Sequence, residues 1–105
     1  MDGYEIRITD AAAKELDALP RRKDRQAVVS RILGLAEDPR PPGYVKLSGH
    51  EELYRVRQGP YRIVYTIEDD RLVVIVIRVA DRKEAYREAR RTRSLQRTRP
   101  FGPRR

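Results

Sequence analysis

Tyr54-Arg55-Val56-Arg57-Gln58-Gly59-Pro60-Tyr61-Arg62-Ile63-Val64-Tyr65 decides how this chain folds. Apolar and cationic residues alternate through Tyr54–Arg57 and again through Tyr61–Ile63, and Val64 to Ile67 continues in β-branched and aromatic residues. Both runs read as strands, and Gln58-Gly59-Pro60 between them is a turn signal. With Gly59 and Pro60 as the loop, Arg57 lies opposite Arg62, Val56 opposite Ile63 and Tyr54 opposite Tyr65. Side chains alternate faces along a strand. Tyr54, Val56, Ile63 and Tyr65 therefore share a core-forming face, and Arg55, Arg57 and Arg62 share the other. Like charges opposed across a sheet repel, so the second face must be wet or must hold a polyanion. Arginine keeps its proton and presents a fork of donors suited to phosphate. A merely solvated strand face usually mixes Thr, Glu, Lys and Gln. Three arginines point instead to a phosphate-binding face.

Outward from the hairpin, Glu68-Asp69-Asp70 forms a turn into a third long strand, Arg71 to Val79. Its Leu72–Ile77 run is apolar on both faces, as in a central strand covered by helices. Lys83 to about Arg93 can continue as a helix. Toward the N-terminus, Tyr4 to Ile8 alternates as a short strand, and Thr9-Asp10 offers an N-cap for a helix over Ala11 to Leu19, with Ala12, Leu16 and Leu19 on one face. Pro20 stops it. A second helix spans about Arg22 to Glu37, with Val29, Ile32, Leu33 and Ala36 as its apolar stripe, and Asp38-Pro39 ends it. Its basic start, Arg21, Arg22, Lys23 and Arg25, reads as a solvated first turn. Arg40 to His50 is a loop, with Lys46 to Gly49 leading into the next strand. The order is β-α-α-β-β-β, with a further α at the end. This predicts an α+β fold in which two helices pack on one face of a mostly antiparallel four-stranded sheet.

A chain of 105 residues suits one domain, and 39% hydrophobic content supports a small core. There is no cysteine, which excludes a disulfide framework and a thiolate zinc site and fits a reducing compartment. MDGYEIRITD has no apolar h-region, so no secretory signal is expected, and no apolar run reaches the length of a membrane span. The formal charge of +8 is uneven: residues 1–86 hold 16 Lys+Arg and 15 Asp+Glu, whereas residues 87–105 hold 8 Arg and one Glu. A near-neutral domain over 1–87 thus carries a basic tail over 88–105. The tail adds salt-sensitive attraction to nucleic acid. Its start reads as helical; Pro100, Gly102 and Pro103 mark a disordered end.

Two more residues join the arginines. Arg82 lies just past the long strand, and Tyr86 lies one helical turn further on. A tyrosine can carry a proton or stack on a base. The ordinary alternatives are a helix anchor for Tyr86 and an ion pair with Asp81 or Glu84 for Arg82, weak for an exposed group. There is no Ser-His-Asp set, no suggestive acid pair and no glycine-rich phosphate loop. His50, the only histidine, and the Glu51-Glu52 pair read as solvent-exposed loop residues.

Taken in order, the YRVR strand, the GPYRIVY turn and strand, the apolar strand ending in Val79 and the Arg-x-x-x-Tyr exit at Arg82 and Tyr86 resemble the signature of RelE toxins in the RelE/ParE superfamily of bacterial type II toxin–antitoxin systems. ITDAAAKELDALP and EDPRPPG in the N-terminal half are similar to that family too, so the resemblance covers roughly residues 4–87. It implies a small RelE-like toxin that enters the ribosomal A site in the cytoplasm and cleaves mRNA there. The RNA 2′-OH attacks the adjacent phosphate, leaving a 2′,3′-cyclic phosphate and a 5′-OH, with no metal or cofactor. It also implies a cognate RelB-like antitoxin that neutralises the toxin and carries the complex to operator DNA.

By the same resemblance the catalytic set is Arg55 and Arg57 on the second strand, Arg62 on the third, and Arg82 and Tyr86 after the fourth. Fixed cations stabilise charge that grows on the phosphate oxygens in the transition state. Arg57 and Arg62 suit that role, Arg82 aids the leaving 5′-oxygen, and Tyr86 either accepts the 2′-OH proton or orients a base by stacking. The best-known members have lysines where this chain has Arg55 and Arg57. Arginine cannot shuttle a proton, so these two would act as electrostatic clamps, with slower or differently partitioned turnover. Lys46, Arg87, Arg90, Arg91 and Arg93 are expected to hold RNA or the ribosome. In some relatives a C-terminal helix shields the active site until the antitoxin displaces it, and Arg87 to Arg93 can do that instead. Two competing readings share the fold: a ParE-like poison of DNA gyrase, which has no use for the intact constellation, and an inactive nucleic-acid-binding paralogue.

Overall fold

A computed structural model describes residues 3–47, 52–95 and 97–102. His50, Glu51 and Pro103 lie outside these. In chain order the elements are β1 (Glu5–Thr9), α1 (Asp10–Asp17), α2 (Arg22–Gly34), β2 (Val45–Lys46), β3 (Tyr54–Gln58), β4 (Tyr61–Glu68), β5 (Val73–Ala80), α3 (Glu84–Leu95) and β6 (Thr98–Pro100). They form an α+β fold with one six-stranded sheet in the order β2-β3-β4-β5-β1-β6. Among the described residues, only β1 and β5 pair in parallel.

The hairpin has the register its alternation dictates: Tyr54 opposite Tyr65, Val56 opposite Ile63 and Arg57 opposite Arg62. Gly59, at φ +60°, supplies the positive φ that a two-residue hairpin loop needs. One face of the hairpin joins β1 and β5 under α1 and α2, in a core that includes Ile8, Ile32, Leu35, Val56, Ile63, Tyr65 and Val76. Each such side chain stabilises the fold by roughly 1.5–3 kcal/mol. α1 starts where Thr9 caps it: its hydroxyl accepts the Ala12 N–H at 3.1 Å and donates to the Ile77 carbonyl at 2.7 Å. Thr9 is fully buried and ties β1, α1 and β5 together. Thr9→Ala is expected to lower stability by about 1–2 kcal/mol, read as a lower urea midpoint with unchanged slope.

Several expectations need correction. The α+β class, the mostly antiparallel sheet and the helix after the last long strand are as expected, but among the described residues the sheet has six strands rather than four, β2 and β6 lying at its two edges. The second face is not open: Val64 and Ile77 pack with Leu53 and with Ala89 of α3 in a second, smaller core. The buried stripe of α2 is Val28 and Ile32, continuing to Leu35 and Ala36, whereas Val29 and Leu33 sit at its margin. β5 starts at Val73 because Leu72, with φ +55°, belongs to the preceding turn. Nor is the tail disordered through residues 97–102. The boundary drawn at residue 87 falls inside α3, and β6 then pairs antiparallel with the edge of β1. Arg7 donates to the Thr98 hydroxyl at 2.8 Å and to its carbonyl at 2.9 Å, and the Phe101 N–H donates to the Ile6 carbonyl at 2.9 Å. Gly102 holds φ +86°, and a Cβ there would collide with Leu33.

Candidate active site

Three strand ends converge beside α3. Arg57 is the last residue but one of β3, Arg62 is the second residue of β4 directly opposite it, and Ala80, the last residue of β5, is the partner of Arg62 on the other side. Arg82 follows two residues later. Tyr86, on the first turn of α3, sets its ring 5.9 Å from the Arg62 guanidinium carbon, within cation–π range. The structure therefore groups Arg57, Arg62 and Tyr86 directly. It places Arg55 two residues along the same strand face from Arg57, and Arg82 at the adjoining loop.

Their environments differ. Arg57 is exposed, Arg55 is half-buried and Arg62 is only 9% exposed. The expected wet cluster is thus partly sealed, because α3 lies over it. Several arginines elsewhere have carboxylate partners: Arg7 with Glu5, Arg40 with Asp69, Arg71 with Glu68 and Arg99 with Asp10. Among the described residues, Arg55, Arg57 and Arg62 have none. The Nε atoms of Arg55 and Arg62 are buried and make no hydrogen bond. Buried donors are normally satisfied. Three guanidiniums without an acid between them have the charge and donors to take an anion.

Arg82 is paired, but not with Asp81 or Glu84. Its Nη2 donates to Glu88 Oε1 at 2.7 Å, and Arg78 Nη1 reaches the same oxygen at 3.0 Å. Arg78 also donates from Nε to both oxygens of Glu15 on α1, at 3.0 and 3.1 Å, and the Val79 N–H donates to Glu15 Oε1 at 2.9 Å. Sequence reading missed Glu15, Arg78 and Glu88. The available signal was Arg78 itself, a lone cation inside the apolar strand Val73–Ala80, which needs a buried partner. The Arg82 guanidinium, with help from Arg78, holds the Glu88 carboxyl below its ordinary pKa.

Next to Tyr86 a groove of about 360 Å³ runs along α3, with Leu47 and Leu53 as apolar floor and Lys83, Arg87 and Arg90 as basic lining. Arg91 is exposed and Arg93 half-buried, both outside this groove. Lys46 on β2 pairs across the strand with Tyr54 and lies 3.7 Å from Glu52, both side chains more than half exposed. A larger cavity of about 770 Å³ lies between β1, α2 and Phe101. The one arginine among its described lining residues, Arg71, is paired with Glu68 at 2.6 Å.

The family model described as ParE toxin of type II toxin-antitoxin system, parDE, matches residues 6–86. Toxin RelE of Mycobacterium tuberculosis (strain ATCC 25618 / H37Rv) is 36% identical over 85 residues, covering 80% of this chain and 87% of that one. The structure of an E. coli toxin RelE mutant in the free state aligns with TM-score 0.70 and 28% identity, over 87% of this chain and 97% of that one. A chain of the crystal structure of the toxin-antitoxin complex RelBE2 from Mycobacterium tuberculosis aligns with TM-score 0.66 and 30% identity, over 76% of this chain and 99% of that one. The family-model match runs through the strands that carry Arg55, Arg57 and Arg62 and reaches Tyr86, and with these relatives it shows that the chain belongs to the RelE/ParE superfamily of type II toxin–antitoxin toxins, as a RelE-like toxin.

Proposed function

We propose that this toxin is an endoribonuclease that cleaves mRNA in the ribosomal A site, and that a RelB-like antitoxin neutralises it. The observation that carries the reading is the acid-free trio Arg55, Arg57 and Arg62 set beside Tyr86. In the proposed step the 2′-oxygen of the RNA bonds to the adjacent phosphorus and the P–O5′ bond breaks. The 2′-OH proton leaves to a base, the 5′-oxygen takes up a proton, and the products are a 2′,3′-cyclic phosphate and a 5′-OH. Negative charge grows on the phosphate oxygens as the fifth bond forms. Guanidiniums already fixed there stabilise that state without reorganising. Arg57 and Arg62 fill this role from opposite strands, with Arg55 as a further clamp. Arg82 supports the leaving oxygen. None of the arginines can act as base, so Tyr86 is the one member of the set able to move a proton or stack on a base. Lys46, Arg87, Arg90, Arg91 and Arg93 would hold RNA or ribosome by charge. The site of action would be the cytoplasm, and among the described residues no helix is long and apolar enough to cross a membrane. Through the antitoxin, the complex would bind operator DNA.

Primer extension on programmed ribosomes tests this. The wild type is expected to cut in the A site only when ribosomes are present, and Arg82→Ala/Tyr86→Ala is expected to cut at least about 100-fold more slowly. Intact mRNA on active ribosomes would refute the nuclease. The match to the ParE family model makes gyrase poisoning the reading to test next, by loss of supercoiling.

A further inference from the structure

The catalytic arginine that follows β5 does not stand on its own. Arg82 lies in the short bend between β5 and α3, and its side chain is 49% exposed. An exposed arginine loses much rotamer freedom when it is held for chemistry, so something must fix it. Among the described residues, the one carboxylate bonded to it is Glu88, two residues beyond Tyr86 on α3. Glu88 is itself anchored. Its Oε1 also takes Arg78, whose side chain is only 13% exposed and is gripped by Glu15 of α1. β5 contains one extra residue here, because Val64 lies opposite Arg78 while Tyr65 lies opposite Val76, so Ile77 has no partner in the register. A bulge re-aims the side chains beside it, which lets Arg78 reach acids on two different helices. The result is a continuous chain of ion pairs from α1 through β5 to α3.

We propose that Glu88 is a positioning residue that holds Arg82 at the scissile phosphate, with Arg78 and Glu15 as its fixed anchor. This rests on the nuclease reading above. Arg82 uses one of its five N–H donors on Glu88, leaving the rest of the guanidinium for a phosphate oxygen. Glu88 does not simply oppose the RNA charge, because the partly buried Arg78 already faces the same carboxylate oxygen. The role also accounts for why α3 sits over the arginines: the helix that carries Tyr86 carries the clamp for Arg82.

The test is Glu88→Gln, which keeps size and helix propensity, made in the wild type and in an Arg82→Ala background. Single-turnover cleavage of ribosome-bound mRNA is expected to fall about 10-fold or more in the first and by less than about twofold in the second, with ribosome affinity unchanged. An equal fall in both backgrounds would mean that Glu88 only supports α3, and would overturn the proposal. So would faster cleavage, which would make Glu88 a competitor of phosphate. Independently of cleavage, the Arg82 guanidinium protons report the contact by NMR. Hindered rotation in the wild type, released in Glu88→Gln, supports the clamp, and unchanged signals refute it. If the wild type does not cut RNA at all, the nuclease reading falls, and these signals still decide whether Glu88 holds Arg82.

Discussion

Arg62→Met is expected to lower mRNA cleavage on ribosomes by roughly 10²–10³-fold while leaving the fold as stable as before or more so. Arg62 is only 9% exposed, lies opposite Arg57 and has no carboxylate partner among the described residues. A buried charge in that position is a cost to the free protein, and two opposed cations add repulsion. Methionine keeps the contact with the Tyr86 ring and removes both penalties. Thermal unfolding and single-turnover cleavage together read the result. A protein that loses stability and activity in parallel would mean that Arg62 is a structural residue. Strain of this kind, retained where a ligand relieves it, is the pattern expected of a functional site.

Tyr65→Ala is expected to have the largest effect on folding, about 3–5 kcal/mol. Its ring is wholly buried and stacks on Tyr54 with centroids 5.8 Å apart, and its hydroxyl donates to the Pro39 carbonyl at 2.7 Å. That bond pins the loop after α2 onto β4. Burial also raises the hydroxyl pKa well above the ordinary tyrosine range, so it remains a donor at neutral pH. Domains of this size hold on the order of 5–15 kcal/mol in all, so the variant should lie near the edge of folding. Tyr65→Phe keeps the ring and is expected to lose only about 1–2 kcal/mol, the cost of an unpaired Pro39 carbonyl. Chemical denaturation measures both; equal midpoints for the two variants would contradict the assigned role of the ring.

The hairpin, its register and the two faces of β3 and β4 were legible because alternation over a two-residue loop leaves no other pairing. Thr9 was legible as a cap, and Arg55, Arg57, Arg62, Arg82 and Tyr86 as candidates, because residue type and spacing carry that information locally. What was hidden depends on distant partners. β6 pairs with β1 across 91 residues, as in the Arg7–Thr98 bond, and Pro100 disguises it. Proline ends most strands but is tolerated on an edge. The sealing of Arg62 needed α3 to fold back over the sheet, and nothing in the hairpin announces that. The Glu15–Arg78 contact joins residues 63 apart, and only the misplaced cation in an apolar strand hinted at it.

The most direct measurement places a single 2′-deoxynucleotide immediately 5′ of the scissile phosphate in an mRNA held in the ribosomal A site. If the arginines stabilise attack by the RNA 2′-OH, cleavage at that position disappears, while an all-ribose message is cut to a 2′,3′-cyclic phosphate and a 5′-OH. Cleavage of the deoxy-substituted message at the ribose rate would contradict the account.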